Sequence, residues 1–169
     1  DAEKVTIQTP YVICNGYMYD TLREIASHAK LQIVLNAVEK GSNPWGCTDY
    51  LNQTKKILKT GADVYELMNE HAVHTKAVLI DDRLSVVGSY NLDMRSTYLD
   101  TELMLVINSQ ELNDQIQETE NIYMEKSKEV LSSGQETEGS LYEKKILSRK
   151  KKLFYGVLRV IIRPLRQLL

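Results

Sequence analysis

The run HTKAVLIDDRLSVVGSYNLDMRS, residues 74–96, decides how the rest of the chain is read. Its apolar, β-branched pieces predict a strand through Ile80, a turn at Asp81–Arg83 and a second strand LSVVG. Half-buried strands seldom carry many polar residues without a use for them, because desolvating an unpaired polar group is costly. Yet His74 and Lys76 stand two apart, which in a strand sends both side chains off one face near one end. A small-residue turn through Gly88, Ser89 and Asn91 ends the second strand.

These residue types suit chemistry on a phosphate diester. Such a reaction needs a nucleophile or proton carrier that titrates near neutrality, which is histidine, and a fixed positive charge on the non-bridging oxygens, which lysine supplies. Gly88 would let a backbone approach a ligand closely, and Ser89 and Asn91 would add neutral donors to the same oxygens. Each piece alone has an ordinary reading. A strand histidine is commonly a satisfied structural residue, a strand lysine guards an edge or lays its stem over apolar surface, and Asp81 before Asp82 is turn chemistry. Six residue types at six fixed offsets, however, coincide by chance on the order of once in a hundred thousand or less.

Working outward, KVTIQTPYVI (Lys4–Ile13) predicts a strand broken near Pro10, and Met18, Leu22, Ile25 and Ala29 recur at helical spacing after it. QIVLN (Gln32–Asn36) is a buried strand, Ala37–Asp49 a Gly/Pro/Asn loop long enough to be functional, and YLNQTKKILKTG a helix closed by Gly61. DVYELM and TELMLVI (Thr101–Ile107) add strands, and a polar helix from Ser109 to about Leu131 closes the domain. Strands alternating with helices, together with the 74–88 hairpin, predict an α/β fold with a mixed β-sheet flanked by helices. Three segments follow: a domain over residues 1–131, a linker over 132–143 by the composition of SSGQETEGS, and a basic tail over 144–169.

With 169 residues, 43% of them hydrophobic, the chain can bury one core without disulfides. Cys14 and Cys47 match no metal-ligand spacing and read as free thiols or core fillers. The first residue is Asp1 and no charged-then-apolar leader precedes the first strand, so the chain reads as cut from something longer or processed. The net charge of −2 hides an asymmetry: Lys144–Leu169 holds nine Lys or Arg and no acid, leaving 12 basic against 23 acidic residues before it, so the tail is +9 and the body −11. Projected as a helix at about 100° per residue, the tail gathers Leu153, Phe154, Val157, Leu158, Ile161, Ile162, Leu165, Leu168 and Leu169 on one half and Arg159, Arg163 and Arg166 on the other. It is too short and too charged to span a bilayer. It suits lying in an anionic interface with Arg149–Lys152 near the headgroups, with a core or partner helix as the alternative.

His74, Lys76, Asp81, Gly88, Ser89 and Asn91 resemble the HxKxxxxD and GSxN signature of the phospholipase D superfamily. GSYNLDMRSTYLDTELMLVI resembles its bacterial cardiolipin synthase branch, and IQTPYVI, LNAVEKGSN and ILKTGADVYEL resemble the C-terminal half of C-type members; residues 1 to about 131 are covered. The resemblance implies one half of a pseudo-twofold pair and a two-step mechanism without metal or cofactor. The nucleophilic histidine would lie in the other half and His74 would be the general acid and base. Lys76 and Asn91 would hold phosphoryl oxygens, with Gly88 and Ser89 completing the phosphate site. Glu102 would orient and charge a catalytic histidine, its own or the other half's, and Asp81 would serve the motif chemically or structurally. No second HxKxxxxD is present: His28 has Leu35 where the aspartate belongs, and His71 has Val73 where the lysine belongs. The chain therefore needs either a missing N-terminal half or a second copy of itself.

The function expected is phosphatidyl transfer to a phospholipid headgroup hydroxyl, by an enzyme peripheral to the bacterial cytoplasmic membrane. The alternatives are a hydrolytic phospholipase D or nuclease acting as a homodimer, and a non-catalytic membrane-binding fragment. No nucleic-acid partner is expected of a body at −11, which would repel a phosphate backbone. Trp45, in the long loop, is a candidate lipid contact or a pin for that loop.

Overall fold

The computed structural model describes residues 2–169. In chain order the elements are β1 (Lys4–Gln8), α1 (Gly16–His28), β2 (Lys30–Asn36), α2 (Pro44–Leu58), β3 (Asp63–Leu67), β4 (Ala77–Ile80), β5 (Leu84–Gly88), α3 (Met94–Tyr98), β6 (Met104–Asn108), α4 (Gln110–Glu125), β7 (Ser127–Val130), β8 (Glu136–Glu138) and α5 (Arg149–Ile161). A 3-10 turn over Arg163–Leu168 ends the chain. The strands form one sheet in the order β6-β5-β4-β1-β2-β3-β7-β8. β1, β2 and β3 run parallel, and every other pairing is antiparallel, so the sheet is mixed as expected.

The parallel strands are buried on both faces, and their sequences show it. β2, KLQIVLN, is buried from Leu31 through Asn36. On one face Val5, Ile7, Leu31, Ile33, Leu35 and Val64 pack against Met18, Tyr19 and Leu22 of α1 and Cys47, Tyr50 and Ile57 of α2. On the other, α4 lies over a more polar layer, where Gln32 bonds Tyr65 at 2.9 Å and Lys4 bonds Gln117 at 3.3 Å. The two cysteines are free and buried, and burial pushes Cys14 up to about 12 and Cys47 up to about 11.

Three local expectations change. The loop from Ala37 stops at Asn43, whose side chain caps α2 by accepting from the Trp45 and Gly46 amides, with Pro44 at the first helical position. Trp45 therefore sits on the first turn of a helix rather than in a loop. The closing helix ends at Glu125, not near Leu131, because Ser127–Val130 pairs with the exposed edge of β3 and buries Val130 opposite Val64. The stretch read as a linker turns at Gly134 (φ +86°) and returns as β8 alongside β7.

The tail is docked on the domain. Tyr155, Leu158 and Ile162 are buried, and Tyr155 joins the core beneath α2. Arg159 bonds the Asn52 side chain at 3.0 Å and the Leu51 carbonyl at 3.2 Å. Arg166 grips fully buried Asp49 through two bonds of 2.6 and 2.8 Å. Two of the three arginines projected onto the half opposite the apolar residues thus bond into the protein.

Candidate active site

The site lies at the end of the sheet where β1 finishes and β4 begins, since Gln8 pairs with Ala77. His74 and Lys76 sit in the extended segment just before β4, not within the strand as expected. They converge all the same, because Lys76 folds its ammonium back onto its neighbour. Lys76 Nζ lies 2.9 Å from the His74 carbonyl oxygen and 2.5 Å from His74 Nδ1. It also lies 3.3 Å from Nε2, and since an ammonium has only hydrogens to give, the nearer ring nitrogen, Nδ1, is the acceptor. Burial and the Lys76 charge both hold His74 below the usual histidine value, which keeps the ring neutral at neutral pH. Lys76 is only 9% exposed; burial lowers its pKa, while the charges of Glu102 and Asp93 pull the other way.

Glu102, just before β6, completes this group electrostatically. It accepts the Ser89 hydroxyl proton, and the hydroxyls of Ser89 and Ser96, with the Lys76 charge behind them, hold it below the usual carboxylate range. Ser89 also accepts the Leu103 amide at 3.0 Å. Its single proton is thus committed to Glu102, and it positions that carboxylate rather than standing free for a phosphate. Gly88 likewise has a different task from the one expected. It faces Met104 across β5 and β6, and a Cβ there would run into the Leu103 carbonyl and Met104. The close approach it permits is that of its own neighbouring strand.

Asn91 lies between β5 and α3, against Ser96. Its backbone amide and its Nδ2 both donate to Ser96 Oγ, at 3.2 and 3.4 Å, and its Oδ1 is buried without a partner among the described residues. Asp81 is not brought to the others. It occupies the hairpin turn at the far end of β4, four residues of strand away, with φ +52°. Its Oδ1 accepts the Glu3 and Lys4 amides at 2.8 and 2.9 Å, and those two bonds hold its pKa down. It ties the turn to the start of β1.

Sequence reasoning missed Asp93 and Ser96. Buried Asp93 caps α3 by accepting the Ser96 amide at 2.6 Å, and Ser96 bridges towards Asn91 and Glu102. Burial raises Asp93 above the usual carboxylate value. The D-x-x-S spacing in DMRS is a capping signal that would have found the pair. Of the other histidines, His28 ends α1 at the opposite end of the sheet, and exposed His71 approaches Glu70. Among the described residues no group of three or more His, Cys, Asp or Glu is placed to hold a metal ion.

Beside the site, between α1 and the β4–β6 side of the sheet, an apolar pocket of about 240 Å³ is lined by Ile7, Met18, Leu22, Val78, Leu92 and Met104, among others. β6 forms the edge of the sheet there, with Leu103, Leu105 and Val106 largely exposed.

The chain has relatives among known proteins. Cardiolipin synthase A of Buchnera aphidicola subsp. Baizongia pistaciae (strain Bp) is 30% identical over 130 residues, covering 74% of this chain and 25% of the relative. Cardiolipin synthase A of Wigglesworthia glossinidia brevipalpis is 32% identical over 133 residues, covering 75% and 26%. The chain therefore spans about a quarter of the length of these relatives, and their names support the cardiolipin synthase branch rather than its C-type members in particular. Among solved structures, the phosphatidylserine synthase of Haemophilus influenzae Rd KW20 matches with TM-score 0.70 at 18% identity, over 99% of this chain and 42% of that one. The phospholipase D family member Nuc of Salmonella typhimurium matches with TM-score 0.63 at 16% identity, over 76% and 82%. Residues 2–122 match the family model described as cardiolipin synthase, PLD-like domain, and the chain belongs to that family, within the phospholipase D superfamily.

Proposed function

We propose that this chain supplies the second catalytic half of a phosphatidyltransferase that moves a phosphatidyl group to a phospholipid headgroup hydroxyl. The observation that carries the reading is the convergence of a neutral His74, a buried Lys76 and an ionised Glu102 at one end of the sheet, in a chain belonging to the cardiolipin synthase family. In the first step a histidine of the other half forms a nitrogen–phosphorus bond while the bond from phosphorus to the leaving alcohol oxygen breaks. His74 acts here as the imidazolium, having taken up a proton from solvent; it gives that oxygen the proton and returns to the neutral ring. In the second step His74 takes the proton of the acceptor hydroxyl, whose oxygen attacks phosphorus and breaks the nitrogen–phosphorus bond. Lys76 and the Asn91 amide steady the non-bridging oxygens, where charge grows.

Glu102 has no hydrogen bond to His74 among the described residues; its hydrogen-bond partner is Ser89, and Lys76 occupies His74 Nδ1. That placement favours Glu102 as the carboxylate that orients the histidine of the other half. The exposed edge and face of β6, with Leu103 at 72% and Val106 at 70% exposure, offer that half an apolar surface to meet. The other half is an N-terminal half-domain of the same polypeptide or a second copy. The Nuc match, which covers 82% of its chain, favours keeping the second-copy arrangement beside the first. The enzyme would be peripheral to the membrane through residues 144–169, and no described helix is long and apolar enough to cross one. The test is mass spectrometry of lipids formed by the full-length parent, wild type against His74→Ala. Loss of the diphosphatidyl product by about two to four orders of magnitude is expected for removal of a general acid and base, and unchanged product would overturn the reading.

A further inference from the structure

The docked tail has two apolar faces, which a simple amphipathic helix does not. Tyr155, Leu158 and Ile162 are buried on the domain, with Arg159 on the same side bonded to Asn52. Opposite them, Leu153, Phe154, Val157, Val160 and Ile161 lie on one exposed strip at helical spacing. Around that strip stand Arg149, Lys150, Lys151, Lys152 and Arg163, all exposed and without an acidic residue in the segment. The strip does not end with the helix. Leu165 and Leu168 carry it through the 3-10 turn to α3, where Leu168, Met94, Tyr98 and Leu99 line one shallow depression. Tyr98 and Leu99 are themselves 53% and 60% exposed. The Arg95 amide bonds the Leu169 carbonyl oxygen at 2.7 Å, which fastens the end of the tail to α3.

α3 is also the helix that Asp93 caps and from which Ser96 reaches Asn91 and Glu102. The same short helix therefore touches the exposed apolar strip on one side and the site on the other.

We infer that α5, the 3-10 turn and α3 form one rigid platform that seats on an anionic bilayer, holding the mouth of the site at the headgroup level, rather than a tail that tethers the domain at a distance. The inference rests on the membrane association proposed above and sharpens it. A cationic rim around an apolar strip matches an anionic lipid surface, whose headgroups meet the rim while the strip enters the acyl boundary. A nucleic acid would leave the strip unmatched, and a protein partner would not by itself call for so many unpaired cations.

Leu99 separates the two arrangements, because it lies outside the tail, is exposed, and takes no part in the chemistry. The full chain is mixed with vesicles of phosphatidylglycerol and phosphatidylcholine, and partitioning is measured by co-sedimentation for wild type, Leu99→Asp and Leu99→Lys. Circular dichroism and the urea midpoint confirm that both variants keep the fold. The platform predicts that Leu99→Asp lowers partitioning by about tenfold or more, with a clearly smaller loss for Leu99→Lys, since one variant repels and the other attracts the anionic surface. On pure phosphatidylcholine vesicles the difference between the two should vanish. Equal partitioning of all three proteins on the anionic vesicles would overturn the platform and leave a tether. Wild type that fails to bind would overturn both, and a dimer dispersed by Leu99→Asp without any vesicle effect would assign the strip to a second copy. None of these readouts uses activity, so loss of phosphatidyl transfer and loss of the platform are separate results.

Discussion

Removing Arg166 tests whether the tail belongs to the folded domain. Asp49 is fully buried on α2, and its carboxylate takes bonds of 2.6 and 2.8 Å from Arg166, 2.6 Å from Gln53 and 3.2 Å from Asn52. Arg166 is the sole cation among these partners. Arg166→Ala would leave a buried carboxylate held by two neutral amides. Breaking such a pair from one side generally costs about 3–5 kcal/mol. The Arg166 side chain is 26% exposed, so water can reach part of the space it vacates, and two amide bonds survive. These discounts bring the expected loss to about 2–4 kcal/mol. Urea denaturation followed by circular dichroism should show a lower midpoint with an unchanged slope. Asp49→Asn combined with Arg166→Gln should cost less than the sum of the single changes, because each single change strands a partner. A loss below about 0.5 kcal/mol for Arg166→Ala, or an additive pair, would refute the clamp and return the tail to an interfacial helix that is not fastened to the domain.

Two further outcomes follow from charged groups elsewhere in the fold. Glu120 of α4 is 1% exposed, its Oε2 has no partner among the described residues, and burial alone raises its pKa to about 7. A carboxyl that binds its proton more tightly when folded stabilises the protein fully below its unfolded value near 4.5, and that stability is lost as pH rises through about 7, a swing of about 3 kcal/mol. Glu120→Gln should flatten the stability profile between pH 5 and 8 in urea titrations, about the limits of that swing; a variant with the wild-type profile would show that another group is responsible. Asp81→Ala should lower the melting temperature, since the Glu3 and Lys4 amides lose their acceptor, while lipid product from the full-length parent persists. Loss of product at a temperature where the variant is still folded would place Asp81 back in the chemistry.

The mixed sheet was legible in the sequence wherever side-chain pattern and local turn agreed. QIVLN reads as a buried strand and DDR as a turn between two strands, and the structure has both, at the centre of the sheet and in its hairpin. β7 and β8 were not legible, because SKEV and ETE carry no apolar alternation. They are strands only because the β3 edge offers backbone partners, and that is a property of the assembled sheet. Pro44 behind Asn43 is a helix-start signal, masked by the surrounding Gly, Ser and Asn, whose composition is that of a loop.

The site divides along the same line. Which residue types gather was visible from spacing, whereas what each one touches was not. Ser89 and Gly88 looked like ligand contacts because they sit beside the motif, but the antiparallel pairing of β5 with β6 brings Glu102 and Leu103 back alongside them and occupies both. That return depends on a strand fifteen or more residues further along, so no local pattern around Gly88 contains it. The pairing also explains how Glu102 and Lys76 come to share a field although 26 positions separate them: β5 lies between β4 and β6 and carries the one to the other. A six-residue motif read along the chain therefore identifies the chemistry, while the roles within it are assigned by the two strand pairings that fold the motif across its own hairpin.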